Sequence, residues 1–308
     1  MPYSILESVI PRSSVGKHEI RGLPARPMIA EPSEESLVLE VLLLGLLGFT
    51  VGAFGTLVGA GGGFILVPIL LLLYSDRPPE VITAMSLFVV LANAASGTLA
   101  YGRMGRIDVR SGFAFAVATL PGAVAGAIVV KQIDRGTFNL VFAVVLAVLG
   151  IYLLLPRPVA TIREPLRGRG VVRRQIVDRD GTMYFYAYRR WQGLGISGGV
   201  GFISSLLGIG GGIVHVPVMA MVLRFPVHVA TATSQMVLGL MALQAVVTHF
   251  ASGTLRWDQT LAQAAMMAAG ALGGAQVGAL ASNRLQGDFI LRALGGALLL
   301  VAARLAIR

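Results

Sequence analysis

The chain contains no cysteine in 308 residues, which excludes disulfide bonds, zinc–thiolate sites and thiol chemistry together. Charged residues are also scarce, at 13% of the chain, whereas water-soluble domains carry about twice that fraction. Hydrophobic residues make up 55% of the chain, and the mean hydropathy is +0.77. Apolar runs recur along the sequence, and about 20 such residues span a bilayer. The composition therefore predicts an all-α polytopic membrane protein whose surroundings are the lipid bilayer.

The net charge of +10 is concentrated in one segment of the chain. Residues 156–190 hold nine arginines against three acidic residues. Arginines that flank membrane spans mark the cytoplasmic side, so we expect this linker to face the cytoplasm. Because the excess charge flanks membrane spans, it does not favour nucleic acid as a partner.

Two segments of the chain are nearly identical, and each lies in a long apolar stretch. They read Gly59-Ala-Gly-Gly-Gly-Phe-Ile-Leu-Val-Pro68 and Gly208-Ile-Gly-Gly-Gly-Ile-Val-His-Val-Pro217. Further pairs match in the same order: Thr83-Ala-Met-Ser86 with Thr231-Ala-Thr-Ser234, Asp108 with Asp258, and Gly122 and Gly126 with Gly274 and Gly278. We therefore predict two homologous transmembrane repeats, residues 37–155 and 191–308, of four to five helical segments each. Residues 1–36 are expected to form a soluble tail.

The sequence fits two different paths of each repeat through the bilayer. The apolar pieces at 62–74 and 212–224 hold only about a dozen residues, too few for an upright crossing. If each piece is re-entrant or broken, the halves are four-span parallel repeats. If each piece crosses obliquely, the halves are five-span inverted repeats, and transporters of both kinds exist.

The linker between the halves carries a β-hairpin pattern. Residues 171–188 form two β-prone runs around Asp178-Arg-Asp-Gly181, and Tyr184, Tyr186 and Tyr188 alternate along the second run. We predict a small cytoplasmic hairpin, which acts either as an ordered linker or as a regulatory module.

Three glycines near a proline predict a helix that is interrupted within the membrane. An interruption frees backbone N–H and C=O groups, which are tolerated at membrane depth only inside protein or around a watery cavity. A helix that restarts after the glycines directs N–H donors and about half a positive charge into that cavity. The pattern therefore predicts an anion site.

Neutral donors are expected to hold this anion, because the span interiors contain almost no charged residue. The predicted substrate-binding residues lie beside the two glycine clusters: Gly61, Gly62, Gly63, Ser86, Asn93, Gly210, Gly211, Gly212, His215, Thr233, Ser234 and Gln235. The predicted structural residues of the helix breaks are Gly59, Pro68, Gly208 and Pro217. His215 replaces Leu66 of the first copy, so it is either an asymmetric ligand or proton carrier, or a hydrogen-bonded helix histidine. The glycine pairs spaced four apart are expected to pack helices closely.

The paired Gly-x-Gly-Gly-Gly-x-x-x-Val-Pro segments, the Thr-Ala-x-Ser that follows each, and the glycines ahead of Asp108 and Asp258 resemble the TauE/SafE family of sulfite exporters. The resemblance covers roughly residues 37–305. In this chain the last feature is loose, because Gly105 precedes Asp108 by three residues and Gly253 precedes Asp258 by five. The resemblance implies export of sulfite, a sulfonate or a related organosulfur anion across a bacterial inner membrane.

The sequence thus predicts a secondary transporter that works by alternating access between two broken helices. It contains no GxxxxGK[ST] motif, so ATP is not the expected energy source, and no metal or cofactor is expected. An anion channel that uses the same site is the alternative. An intramembrane enzyme is less favoured, because HExxH and a pair of intramembrane aspartates are both missing. The cargo, the direction, the coupling ion and the oligomeric state, a homodimer included, remain open.

Overall fold

The computed structural model describes residues 34–155, 168–282, 284–285 and 287–306, which form a predominantly α-helical protein with one two-stranded sheet. The helices in this part of the chain are α1 (Glu34–Leu57), α2 (Gly63–Leu73), α3 (Pro79–Arg103), α4 (Val109–Val129), α5 (Arg135–Leu154), α6 (Arg190–Leu207), α7 (Gly212–Pro217), α8 (Val227–Ala251), α9 (Gln259–Ser282) and α10 (Gly287–Ala306). A 3₁₀ turn, Val130–Gln132, extends α4, and a π-helical segment, Val218–Val222, extends α7. The predicted helical class is confirmed. The predicted tail lies almost wholly outside the described residues, and so does the first part of the linker.

Six of the described helices, α1, α3, α4, α5, α8 and α9, are long and apolar enough to cross a membrane. The segments Gly63–Leu73 and Gly212–Val222 are apolar but shorter. Large apolar side chains cover the outside of the bundle: Leu42, Leu46 and Leu140 are between 62% and 66% exposed. An exposed apolar surface of this kind requires lipid rather than water, so the chain is a multi-pass membrane protein.

The predicted β-hairpin is confirmed and lies at one end of the bundle. Its strands β1 (Val171–Val177) and β2 (Met183–Arg189) are antiparallel, with Val171 opposite Arg189 and Val177 opposite Met183. The N–H of Arg179 in the turn donates to the carbonyl oxygen of Met104, directly after α3, at 2.9 Å. We call this end of the molecule the hairpin end.

The helices α3 and α8, which match in sequence, run in opposite directions. The ring of Tyr186 packs on Phe225, just before α8, with centroids 4.3 Å apart, so α8 begins at the hairpin end, where α3 stops. At the opposite end, the far end, Glu80 near the start of α3 and Ser252 after α8 line one cavity. The two helices pack against each other and are therefore antiparallel.

Two helical pairs enter the bundle from opposite ends. Near the start of α9, at the far end, Gln263 accepts a hydrogen bond from Arg77 after α2 and donates one to Glu40 of α1, both at 2.8 Å. The outer ends of α1 and α2 therefore meet at the far end. In the other half, a Cβ atom added at Gly193, near the start of α6, would lie 3.4 Å from Leu223, which follows the extended α7. The same added atom would also contact Phe115, whose ring packs against Tyr188 of the hairpin. The pair formed by α6 and α7 therefore opens toward the hairpin end.

Close helix packing links the two halves of the chain: α1 packs along α9, and α6 packs along α4. A Cβ atom added at Gly278 would lie 2.9 Å from the carbonyl carbon of Ala53, and one added at Gly126 would lie 2.8 Å from the backbone nitrogen of Leu206. These distances are too short for any side chain. They support the packing role predicted for the glycine pairs spaced four apart.

Both tryptophans of the chain lie at the ends of the bundle. Trp191, at the start of α6, is 77% exposed, and Trp257, in the connection between α8 and α9, is 91% exposed. Tryptophan is enriched where a membrane meets water, so these two side chains mark the two interfaces.

Candidate functional site

Two short loops interrupt the helical pairs. The first loop, residues 58–62, separates α1 from α2, and the second loop, residues 208–211, separates α6 from α7. Gly59, Gly61 and Gly62 in the first loop have φ between 74° and 81°, and the three matching glycines of the second loop have φ between 69° and 84°. Side chains other than glycine rarely adopt this left-handed backbone. The glycines of the sequence motif are therefore required by the backbone of these loops.

The two loops lie against each other in the interior of the protein. A Cβ atom added at Gly63 would lie 2.9 Å from the carbonyl oxygen of Gly208, and Gly212 is in equally close contact with Gly59 and Ala60. Such atoms would overlap, so only glycine permits this approach.

The same contacts fix the depth of the loops. Gly61 and Gly210 both lie against Val90 and Leu238, which are near the middle of α3 and α8. The structure thus brings the two glycine clusters together halfway along the central helices.

Two serines at matching positions hold the loops. The Ser86 hydroxyl donates to the carbonyl oxygen of Gly208 at 2.8 Å, and the Ser234 hydroxyl donates to that of Gly59 at 3.1 Å. All four residues are buried. Each serine therefore satisfies a carbonyl group that the helix interruption in the other half leaves without a partner within its helix.

An amide cluster lies next to the first loop. Thr56 donates a hydrogen bond to Oδ1 of Asn93 at 3.0 Å, which leaves Nδ2 of Asn93 as a donor without a partner among the described residues. Gln235 has no described partner for either its oxygen or its nitrogen. A Cβ atom added at Gly97 would lie 3.1 Å from Thr56 and 3.3 Å from Gln235, so Gln235 lies close to the hydrogen-bonded pair of Thr56 and Asn93. We call Thr56, Asn93 and Gln235 the amide cluster.

The polar groups beside the second loop are hydroxyls. Ser204, Ser205 and Thr231 are buried, and their hydroxyl groups have no hydrogen-bond partner among the described residues. A Cβ atom added at Gly211 would lie 2.9 Å from the Ser204 oxygen. The matching positions of Asn93 and Gln235 in the other half hold Met241 and Leu87. The polar lining of the two loops is therefore asymmetric.

The remaining predicted site residues lie on the flanks. Nε2 of His215 is 3.2 Å from the Ser197 hydroxyl, and its Nδ1 has no described partner. Thr233 accepts a hydrogen bond from the backbone N–H of Asp108 at 3.0 Å. Pro68 lies within α2 and Pro217 at the end of α7. A role in substrate binding stays a prediction for His215 and Thr233, and a role in the helix breaks stays a prediction for Pro68 and Pro217.

The interior around the loops is uncharged. Among the described residues, the buried charged side chains are those of Arg106, Asp108 and Asp178, all at the hairpin end. The same part of the chain contains no group of three His, Asp or Glu residues that could hold a metal ion. Any solute bound between the loops therefore meets neutral groups and backbone amides.

Several polar contacts were beyond prediction from sequence. The Tyr101 hydroxyl donates to the Thr56 carbonyl oxygen at 2.9 Å, and Nε2 of Gln276 donates to the Ser96 hydroxyl at 2.7 Å. These residues lie far apart in the chain, so no local spacing reveals them. Gln276 carries a weak signal, because it is an amide in an otherwise apolar stretch of α9.

The fold and the site define a polytopic helical membrane protein with two glycine loops in contact at its centre. Residues 44–305 match the family described as sulfite exporter TauE/SafE, and the chain belongs to that family. It is 32% identical to the probable membrane transporter protein YunE of Bacillus subtilis, over 87% of this chain and 97% of that protein. It is also 30% identical to a probable membrane transporter protein of Methanocaldococcus jannaschii, over 74% of this chain and 78% of that one. No solved structure matches the chain.

Proposed function

We propose that this protein is a secondary transporter of a small oxyanion, with sulfite, a sulfonate or a related organosulfur anion as cargo. The observation that carries the proposal is the contact between two helix interruptions halfway along the central helices, beside buried amide nitrogens of Asn93 and Gln235 that have no hydrogen-bond partner among the described residues. A buried polar group without a partner is unfavourable by about 1–3 kcal/mol, so such groups persist where function uses them. The family of the chain and the names of its relatives support transport rather than catalysis.

The chemistry beside the first loop suits an anion. Nδ2 of Asn93 and Nε2 of Gln235 supply N–H donors, and α2 directs the positive end of its helix dipole toward the loop. Binding by neutral donors is weak enough to permit release on the other side. In this proposal Asn93 and Gln235 contact the cargo, while Ser86 and Ser234 hold the loops in place.

Alternating access needs two halves that exchange roles, and the antiparallel α3 and α8 support two inverted repeats of five segments each. The broken elements are then the pairs α1–α2 and α6–α7, one opening toward each side. Arg103, Arg106 and Arg110 lie at the hairpin end together with the arginines of the hairpin. By the positive-inside rule, we propose that this end faces the cytoplasm and that the protein resides in the bacterial inner membrane.

Flux measurements in reconstituted vesicles test this function. Sulfite, thiosulfate and small sulfonates are offered one at a time, and we expect saturable uptake and counterflow for at least one. Gln235→Met, which keeps the side-chain length and removes the amide, should abolish that flux. Thr50→Ala, on the exposed face of α1, is the matched control and should transport normally. Flux that neither saturates nor shows counterflow would indicate a channel, and no flux of any of these anions would overturn the proposal.

A further inference from the structure

A buried carboxylate at the hairpin end ties both strands of the hairpin to the bundle. Asp108, 3% exposed, caps α4 by accepting the Ser111 N–H at 3.0 Å. Its Oδ2 atom accepts the Tyr186 hydroxyl at 2.7 Å and lies 3.3 Å from Nε of Arg174. Arg174 and Tyr186 are cross-strand partners in β1 and β2. One carboxylate therefore binds the hairpin and α4 at once.

Further contacts hold the hairpin over the connection between α3 and α4. Nη2 of Arg106 lies 3.2 Å from Oδ2 of Asp178, and both side chains are at most 8% exposed. The Tyr188 hydroxyl lies 2.7 Å from that of Ser111. Buried pairs of this kind add little net stability, but they fix one geometry and are strongly unfavourable to break singly. The hairpin is therefore docked in a defined position.

Asp258, which matches Asp108 in sequence, caps a helix at the far end in the same way but is not covered by a hairpin. Asp258 caps α9 by accepting the N–H groups of Thr260 and Leu261, at 2.9 and 3.2 Å. Unlike Asp108, Asp258 is exposed and lines a cavity of 420 Å³ together with Glu80 and Lys131. The hairpin thus covers Asp108 at the hairpin end, whereas the matching Asp258 at the far end is open to the cavity.

The covered end is connected to the first loop by direct contacts. The N–H of Asp108 donates to Thr233 at 3.0 Å, and the next residue, Ser234, donates to the carbonyl oxygen of Gly59 at 3.1 Å. Met104 and Ile107, from the connection between α3 and α4, pack against a buried cluster formed by Ala100, Tyr101, Ala232 and Ala279. Movement of this connection would therefore uncover the start of α8 next to the first loop.

We propose that the hairpin is a latch. While Tyr186 and Arg174 hold Asp108, the connection between α3 and α4 lies against α8 and the hairpin end is closed. Release of Asp108 from these two residues opens that end toward the glycine loops. This proposal rests on the proposed function, because alternating access requires one end to open while the other is closed.

A single cysteine measures latch opening without any cargo, since the chain has no cysteine of its own. In Ala232→Cys we expect slow labelling by a soluble maleimide. Tyr186→Phe removes the hydroxyl and keeps the ring, so labelling should be about tenfold faster or more, since a lost hydrogen bond to a charged group shifts an opening equilibrium by at least that factor. Tyr152→Phe, at an exposed tyrosine of α5, is the control. Equal rates in all three backgrounds, with the protein monodisperse, would overturn the latch.

A reversible crosslink provides the second test. A Cβ atom added at Gly105 would lie 3.5 Å from the backbone nitrogen of Arg179, so the variant Gly105→Cys/Arg179→Cys places two cysteines at neighbouring positions for a disulfide. We expect anion flux to fall at least about tenfold on oxidation, by the same opening argument, and to return on reduction. Comparing the two redox states of one variant cancels any strain at Gly105.

The outcomes of the two tests are distinguishable. Equal flux in the oxidised and reduced states would overturn the latch and leave the proposed function intact. If the parent chain moves none of the anions, the proposed function fails, and the labelling of Ala232→Cys still decides whether the hairpin opens.

Discussion

Ser86 donates a hydrogen bond to the carbonyl oxygen of Gly208, and the same bond recurs with the halves exchanged, from Ser234 to Gly59. Each bond therefore joins the third helix of one half to the loop of the other. The two bonds have the same chemistry, and together they hold the two loops against each other from both sides. Movement of one loop must strain or break one of these bonds.

The serine bonds yield a stability prediction. Ser86→Ala or Ser234→Ala leaves a buried carbonyl without its donor, so each should lower the free energy of unfolding by about 1–3 kcal/mol. Thermal unfolding in detergent measures the change. In the control Thr50→Ala, an exposed hydroxyl that bonds within its own helix is lost, and the effect should stay within about 0.5 kcal/mol. Two serine variants as stable as this control would show that the bonds do not hold the loops.

The amide cluster should separate stability from transport. Gln235→Met removes two buried polar atoms that have no described partner, so stability should be unchanged or higher while transport is lost. Gln276→Met provides the contrast, because Gln276 donates to both the carbonyl oxygen and the hydroxyl of Ser96, and its loss should lower stability by about 1 kcal/mol. Unfolding and flux are measured on the same preparations. A strongly destabilised Gln235→Met variant would indicate that this amide is structural.

Two glycines of α6, two residues apart, form a matched pair for close packing. A Cβ atom added at Gly201 would lie 2.9 Å from Cα of Thr119, whereas one added at Gly199 meets no atom within 4 Å. Gly201→Ala should therefore lower stability by about 1–3 kcal/mol. Gly199→Ala should raise it by up to about 1 kcal/mol, because alanine favours helix. The thermal unfolding midpoints of the two variants test this prediction. Equal midpoints would mean that α4 and α6 can move apart without loss of stability.

Docking of the hairpin should weaken at high pH. Burial, and then the hydrogen bond to Asp108, raises the pKa of Tyr186 above its ordinary value of about 10. When the hairpin undocks, the Tyr186 phenol returns to its ordinary pKa and ionises more easily than in the docked state. The raised pKa therefore stabilises the docked hairpin fully at a pH below the ordinary pKa, and this stabilisation is lost as the pH rises above the ordinary pKa. Tyrosinate absorbance should show a late-titrating group in the parent chain that Tyr186→Phe lacks. An unchanged titration curve would contradict the docked geometry.

At low pH, protonation of Asp178 should weaken docking of the hairpin. Burial raises its pKa, but hydrogen bonds from the Thr182 N–H and from Arg106 outweigh this effect and lower it below the usual value. A carboxyl with a lowered pKa stabilises the docked hairpin above its ordinary pKa of about 4, and this stabilisation is lost as the pH falls through the lowered value. Asp178→Asn should therefore remove the acid limb of hairpin undocking, measured as the distance between spin labels on the hairpin and on α3. An acid limb that persists in this variant would place the titrating group elsewhere.

Much of the fold is readable from the sequence, because span length, glycine-rich interruptions and strand alternation are local patterns. The direction of the repeats is not local. The short pieces at 62–74 and 212–224 fit both parallel and inverted arrangements, and long-range contacts such as those of Tyr186 with Phe225 and of Gln263 with Glu40 orient the helices. Such contacts join residues that are distant in the chain, so no pattern within a short stretch of sequence reveals which residues will meet.

The candidate site divides in the same way. The glycines, Asn93 and Gln235 were predictable as a group, since each is unusual in an apolar helix. Their grouping, and the partnership of Ser86 with Gly208, depend on how α3 meets α8. The sequence indicates Tyr186 only as part of an alternating tyrosine run, because its partner Asp108 belongs to another element.

The cavity beside Asp258 has a consequence for the opposite membrane face. If the two halves trade conformations, as related but oppositely oriented units can, the surroundings of Asp108 come to look like those of Asp258 now. The far end then serves as a template for the alternate state, and an opening near 420 Å³ is expected once the hairpin withdraws.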